Sequence, residues 1–226
     1  MGDDRGESMA IYIFGGTKGG TGKSTLSVNF AVSLARMGRK VLLVDTDQQG
    51  SASVWCHLRA EAGILPAIPL AILDGRNVGN QIRDLSVDYK DVVIDVAGYN
   101  SVELHSALDV SDVLVTPARS GYFDFHALSM LNPLLGEIRR TSNPQLRSLL
   151  LLNGMSTHSR ARDATTMRNS VAPFKEFKVL SSMAHQRGAF SDAIPHGKAV
   201  MEHKPVNKKA IAELHSITRE VIKHGR

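Results

Sequence analysis

A chain of 226 residues with a 42% apolar fraction is long enough to bury a sizeable core and falls in the range of a single α/β domain. Its lone cysteine, Cys56, excludes an intramolecular disulfide and fits a reducing compartment, and no apolar run approaches the roughly 18 residues needed to span a bilayer, so a cytosolic protein is expected. The formal net charge of +5 is unevenly spread: residues 1–113 carry 10 Lys and Arg against 14 Asp and Glu, a balance of −4, whereas residues 114–226 carry 17 against 8, a balance of +9.

In chain order, the polar stretch Met1–Ser8 reads as a disordered lead or expression remnant, with the folded domain running from residue 9 to 226. A strand is predicted near 10–15, around the apolar Ile11–Phe14, and an amphipathic helix near 23–37. Between them lies Gly16-Thr17-Lys18-Gly19-Gly20-Thr21-Gly22-Lys23-Ser24-Thr25, a phosphate-binding loop by its glycines, its Lys-Ser pair and its strand-to-helix placement. Gly19, Gly20 and Gly22 are expected to take positive φ and, with Thr21, to bring backbone N–H groups against phosphate oxygens that a Cβ would obstruct. The helix that follows directs the positive end of its dipole at the same anion. Lys23 is expected to reach the β- and γ-phosphates, Ser24 to place its hydroxyl on Mg²⁺, and Thr25 to meet the α-phosphate.

A second strand near 40–45 ends in Asp45-Thr46-Asp47-Gln48-Gln49-Gly50. Asp45 is a candidate for the metal shell, and Asp47, 24 residues after Lys23, for orienting an attacking water. After a helix near 51–60, a strand near 67–71 and a helix near 76–86, the run Asp91-Val92-Val93-Ile94-Asp95 forms a buried strand. Its last carboxylate, Asp95, fits a Walker B residue that holds Mg²⁺ directly or through water, and Gly98 just beyond can offer its N–H to the γ-phosphate. Helices near 101–109, 124–139, 162–172 and 206–223 then alternate with strands near 112–117, 147–153 and 177–180. That alternation predicts an α/β, single-domain P-loop fold, a mostly parallel twisted sheet with helices on both faces. Ligands of such sheets bind at the carboxyl ends of the strands, so three strand ends converge on one site. The nine histidines lack metal-ligand spacing and read as surface or packing residues, which leaves Mg²⁺ as the expected metal.

The loop Lys18–Thr25, the Asp45–Gln49 segment and Asp95-Val96-Ala97-Gly98 together resemble the deviant Walker A ATPases of the ParA/MinD superfamily, most of all the small ParA-type partition ATPases. The resemblance covers nearly the whole chain from Met9 onward. It implies ATP as the nucleotide and an ATP-dependent sandwich homodimer in which Lys18 crosses to the partner's phosphates, Lys23 acts in its own subunit and Asp47 positions the hydrolytic water. It also implies that Asn153 hydrogen-bonds the adenine and that Arg187–Ala193 lines the base and the dimer edge. Family members usually carry proline where this chain has Gln48, and often one or two prolines where Val96-Ala97 stand. The iron–sulfur branches of the superfamily are disfavoured by the single cysteine.

The basic excess of the second half includes Arg139, Arg140, Arg147, Arg160, Arg162, Arg168, Lys175, Lys178, Arg187, Lys198, Lys204, Lys208 and Lys209. Such a surface suits sequence-independent contact with a DNA backbone, as the ParA resemblance also implies, and equally suits simple solubilisation. The resemblance further implies a ParB-like adaptor that accelerates hydrolysis, positioning of a plasmid, chromosome region or other cargo, and association with the nucleoid. A MinD-like membrane role would need a basic amphipathic helix at the end of the chain. Lys208–Lys223 places Ile211, Leu214, Ile217, Val221 and Ile222 at helical spacing, but it lacks Phe and Trp and mixes in Glu213 and Glu220, so a helix packed on the sheet is favoured. A metabolic P-loop enzyme is the remaining alternative, with no acceptor pocket indicated.

Overall fold

The strands are short and apolar because both their faces are covered. In a computed structural model, which describes residues 9–16, 19–98, 101–119, 122–157 and 161–225 (backbone alone at 122–123 and 161–164), they are Ala10–Phe14 (β1), Val41–Asp45 (β2), Leu70–Ile72 (β3), Asp91–Asp95 (β4), Val113–Ala118 (β5), Arg147–Met155 (β6) and Lys178–His185 (β7). Every residue of β1, β2, β4 and β5 is buried. The strands form one parallel sheet in the order β3-β2-β4-β1-β5-β6-β7. The chain runs outward from β1 in one direction and then in the other, so the end of β1 lies at the topological switch point where α/β sheets open a crevice.

The helices are Lys23–Arg36 (α1), Ser51–Glu61 (α2), Val78–Ser86 (α3), Val102–Leu108 (α4), Tyr122–Thr141 (α5), Ala161–Val171 (α6), Gly188–Ala193 (α7) and Lys208–His224 (α8). The two-residue period of a strand divides the core in two. Tyr12, Phe14, Leu43 and Val93 meet Phe30 and Leu34 of α1, Trp55 of α2 and Ile217 and Val221 of α8. Ile11, Ile13, Leu42, Val44 and Ile94 meet Ile82 of α3, Leu104 and Leu108 of α4, Leu131 and Leu135 of α5 and Val171 of α6. Each such large side chain contributes about 1.5–3 kcal/mol by leaving water. Phe14, Asp95 and Asp45 share one register row across β1, β4 and β2, so the two carboxylates emerge on the α1 side of the sheet.

The expected elements are present with shifted ends. The third strand starts at Leu70 rather than 67, because Pro69 has no N–H to give a ladder and offers only its carbonyl, to Leu43 N. The last strand continues to His185 rather than stopping at 180. Its polar Ser181 and Ser182 mask the apolar pattern, and their N–H groups donate to the Glu220 carboxylate, as that of His185 does to Glu213, both on α8. The short α7 was not expected as a helix, and α5 runs through Pro133.

Candidate nucleotide-binding site

The segment after β1 is shaped by its glycines. Gly22 has φ +93° and caps α1, and a Cβ there would lie 2.6 Å from Asn153 Nδ2, so both conformation and space require glycine. Gly20 also has positive φ. A Cβ on Gly19 or Gly20 would meet no atom of the described residues within 4 Å, so these residues border open space rather than the described core. No side chain caps α1 and its first turn carries no acid, which leaves its N–H groups and dipole facing that space. Lys18 lies outside the described residues.

Three polar side chains stand around the start of α1. Lys23 is buried, and that burial lowers its pKa while Asp95 and Asp47 pull the other way. Asp95 is fully buried, and neither carboxylate oxygen meets a donor in hydrogen-bonding geometry. Burial pushes its pKa up to about 7, with the Asp45 and Asp47 charges adding to the rise and the nearby Ser24 hydroxyl and Lys23 opposing it. A buried carboxylate beside a serine hydroxyl is an oxygen donor set that suits a hard divalent cation. Among the described residues no group of three or more His, Cys, Asp or Glu could hold a metal alone, so such an ion would take its other ligands from phosphate and water.

Asp45 has a different assignment. Its Oδ1 accepts from Asp47 N at 3.1 Å, and its Oδ2 from Ser53 N at 2.8 Å and Ser53 Oγ at 2.7 Å. It therefore fastens the start of α2 and shapes the turn that carries Asp47, in place of the metal-shell role expected from sequence. Asp47 is half-buried, and its Oδ1 accepts from Gln49 N at 3.0 Å.

Two adjoining cavities follow the loop. One, of about 470 Å³, is lined by residues including Gly19, Gly20, Lys23, Ser24, Asp47 and Trp55. The other, of about 300 Å³, is lined by residues including Asn153, Gly154, His185, Gln186, Arg187 and Phe190. Together they match the size and the mixed apolar and polar lining of a nucleotide cleft. Asn153 reaches this cleft, but its amide donates to Thr21 O at 2.5 Å, bracing the loop. Gly98 is not among the lining residues, and its carbonyl accepts from Ser101 N. The sequence gives no sign of Arg119, which lines both cavities, or of Glu213, which holds His185 and Arg187 in the wall of the second. Glu213 Oε1 lies 2.8 Å from His185 Nδ1 and accepts from Arg187 Nε at 2.9 Å and Nη2 at 2.6 Å. Hydrogen bonds from Arg187 and His185 hold its carboxyl below the usual range against the opposing effect of burial. The spacing of Glu213 on an amphipathic helix gave no sign of this role.

A P-loop at the switch point of a seven-stranded parallel sheet, with a two-part cleft beside it, defines a nucleotide-binding protein of the α/β class. Residues 12–163 match the CobQ/CobB/MinD/ParA nucleotide binding domain, and the chain belongs to that family. Members of the ParA/MinD group are ATPases, and this chain is one of them. It is 29% identical over 221 residues to the chromosome-partitioning ATPase Soj of Thermus thermophilus, covering 86% of this chain and 88% of that one. It is 26% identical over 209 residues to the maintenance of carboxysome distribution protein A (McdA) of Halothiobacillus neapolitanus, covering 91% and 93%. The fold matches an ATP complex of a Cyanothece McdA with a TM-score of 0.72 at 14% identity, covering 97% of each chain.

The basic half of the chain divides once placed in space. Arg139 binds Glu176 and the Leu146 carbonyl, Arg168 the carbonyls of Leu180 and Ser181, and Arg187 Glu213, so these guanidinium groups are engaged internally. Lys175, Lys178, Lys204, Lys208 and Lys209 remain exposed. In α8, Ala210, Leu214, Ile217 and Val221 are buried against the rest of the molecule. No helix of the described residues is long and apolar enough to cross a membrane.

Proposed function

We propose that this chain is an ATP-dependent dimerising switch that binds DNA without regard to sequence and positions or partitions DNA or another large cargo. The observation that carries the reading is the meeting of the start of α1, which no side chain caps, with Lys23, Ser24 and the buried Asp95 at the ends of β1 and β4. In this reading Gly19, Gly20, Thr21 and Gly22 cradle the phosphates through their backbone, Lys23 neutralises β- and γ-phosphate charge, and Thr25 meets the α-phosphate. Ser24 and Asp95 would hold Mg²⁺, which would offset negative charge on the phosphates. Asp47 orients the attacking water, Lys18 reaches the partner's phosphates across the dimer, and Gly98 and Asn153 sense the γ-phosphate and the base.

The cargo role draws support from the names of its relatives, one a chromosome-partitioning ATPase and one a carboxysome distribution protein. DNA contact draws support from the exposed lysines of the second half, with a ParB-like adaptor as accelerator and a cytoplasmic, nucleoid-associated location. The membrane alternative is weakened because the apolar stripe of α8 is already spent on the core. The test is a mobility shift of random-sequence duplex with ATP and Mg²⁺ at low salt, alongside Lys23→Ala. A nucleotide-dependent shift that is lost in the variant is expected, and equal behaviour of the two proteins would remove the DNA role. Chromatography with a non-hydrolysable ATP analogue, with and without Lys18→Ala, tests the dimer.

A further inference from the structure

The two cavities of the cleft share three lining residues, Gly22, Thr25 and Arg119. A nucleotide whose phosphates extend toward Lys23 and whose base lies toward Phe190 passes this junction at the bond between its ribose and its α-phosphate. Arg119 is therefore the cation at that point. It follows Ala118, the buried last residue of β5, so its origin is fixed by the sheet. Its stem lies against the backbone of Gly154: a Cβ added to that glycine would stand 3.0 Å from Arg119 Nε and 3.5 Å from Cδ and Cγ. Gly154, at φ +68°, thus leaves a slot for the arginine.

Other arginines near the core have internal partners. Arg59 binds Glu202 and the Pro66 and Gly197 carbonyls, Arg39 binds Asp91 and Arg187 binds Glu213. Arg119 is exposed and makes no hydrogen bond or ion pair to another described residue. A guanidinium presents five N–H donors in a fixed fork that matches phosphate oxygens.

We propose that Arg119 is a nucleotide-binding residue that grips the α-phosphate together with Thr25. The proposal rests on the reading of the cleft as an ATP site. Because ATP and ADP share the α-phosphate, Arg119 tightens both alike and takes no part in telling one from the other. Discrimination is left to the groups around Lys23.

Calorimetric titration of wild type, Arg119→Ala and Arg119→Lys with Mg·ADP and a Mg-bound non-hydrolysable ATP analogue tests this. Arg119→Ala is expected to bind both nucleotides about tenfold more weakly, with their affinity ratio unchanged within about twofold. Arg119→Lys should recover part of the loss, and the deficit should narrow in about 0.5 M NaCl as screening rises. Unchanged affinity, a loss confined to the triphosphate, or a deficit undiminished by salt would each overturn the assignment. Thermal melting without nucleotide, expected to be equal in all three proteins, controls for folding. If the wild type binds neither nucleotide, the reading of the cleft has failed; if it binds and Arg119→Ala binds equally well, only the role of Arg119 has.

Discussion

β2 and β4 lie side by side and end in the same residue type at the same register row, yet Asp45 and Asp95 have opposite surroundings. Asp45 has three protein donors on its two oxygens, and Asp95 has none in hydrogen-bonding geometry. A carboxylate buried this deeply is costly to keep charged, and burial drives Asp95 to a pKa of about 7 even with the Ser24 hydroxyl and Lys23 nearby. The contrast separates a carboxylate that completes the fold from one that the fold leaves for a ligand. Sequence alone cannot separate them, because both follow an apolar strand.

Four substitutions can break or sharpen that contrast. The largest effect is expected for Lys23→Ala, which removes a buried ammonium close to Asp95; calorimetry should show nucleotide affinity falling about a hundredfold or more while the fold persists. Next, Asp95→Asn should abolish Mg-dependent hydrolysis, yet raise the nucleotide-free melting temperature at pH 8 by about 4–8 °C, the equivalent of about 2 kcal/mol. The sign follows from the folded pKa standing above the unfolded one: between about pH 4 and 7 the native state holds a proton that the unfolded state has lost. The contribution of Asp95 to stability therefore declines as pH rises through that window, and scanning calorimetry at pH 5 and pH 8 should show the slope flattened in Asp95→Asn.

Third, Asp45→Ala strands the donors of Asp47 and Ser53 and should cost about 2–3 kcal/mol in urea denaturation, with little change in Mg²⁺ affinity once the protein is folded. A fully stable Asp45→Ala protein that had lost its metal would reverse the two assignments. The smallest effect is expected for Glu213→Ala, which frees His185 and Arg187; nucleotide affinity should fall about threefold and stability by about 1 kcal/mol.

The fold was legible because strand and helix periods alternate cleanly, and the phosphate end of the cleft because its chemistry depends on a short local pattern. Gly22, Lys23 and Ser24, which the local pattern singles out, line the cleft, and Asp95 is buried close to Ser24 and Lys23. What escaped was non-local. Glu213 reaches residues 26 and 28 positions away, and Arg119 matters only because the slot over Gly154 lies beside it. Asn153 reaches the cleft as expected, but its nearest task, bracing Thr21 across 132 residues, has no sequence signature. The polar end of β7 was lost because helix carboxylates, rather than another strand, take up its outward N–H groups.

Those carboxylates have a bearing on how the chain tolerates shortening. Glu213 and Glu220 reach β7 from α8, which also lays its own Ile217 and Val221 on the core. A chain cut after residue 207 would present a bare row of amides next to an apolar trough, a template on which a second molecule could stack strand to strand. α8 thus serves as a latch against aggregation, and loss of solubility would precede any loss of the P-loop itself.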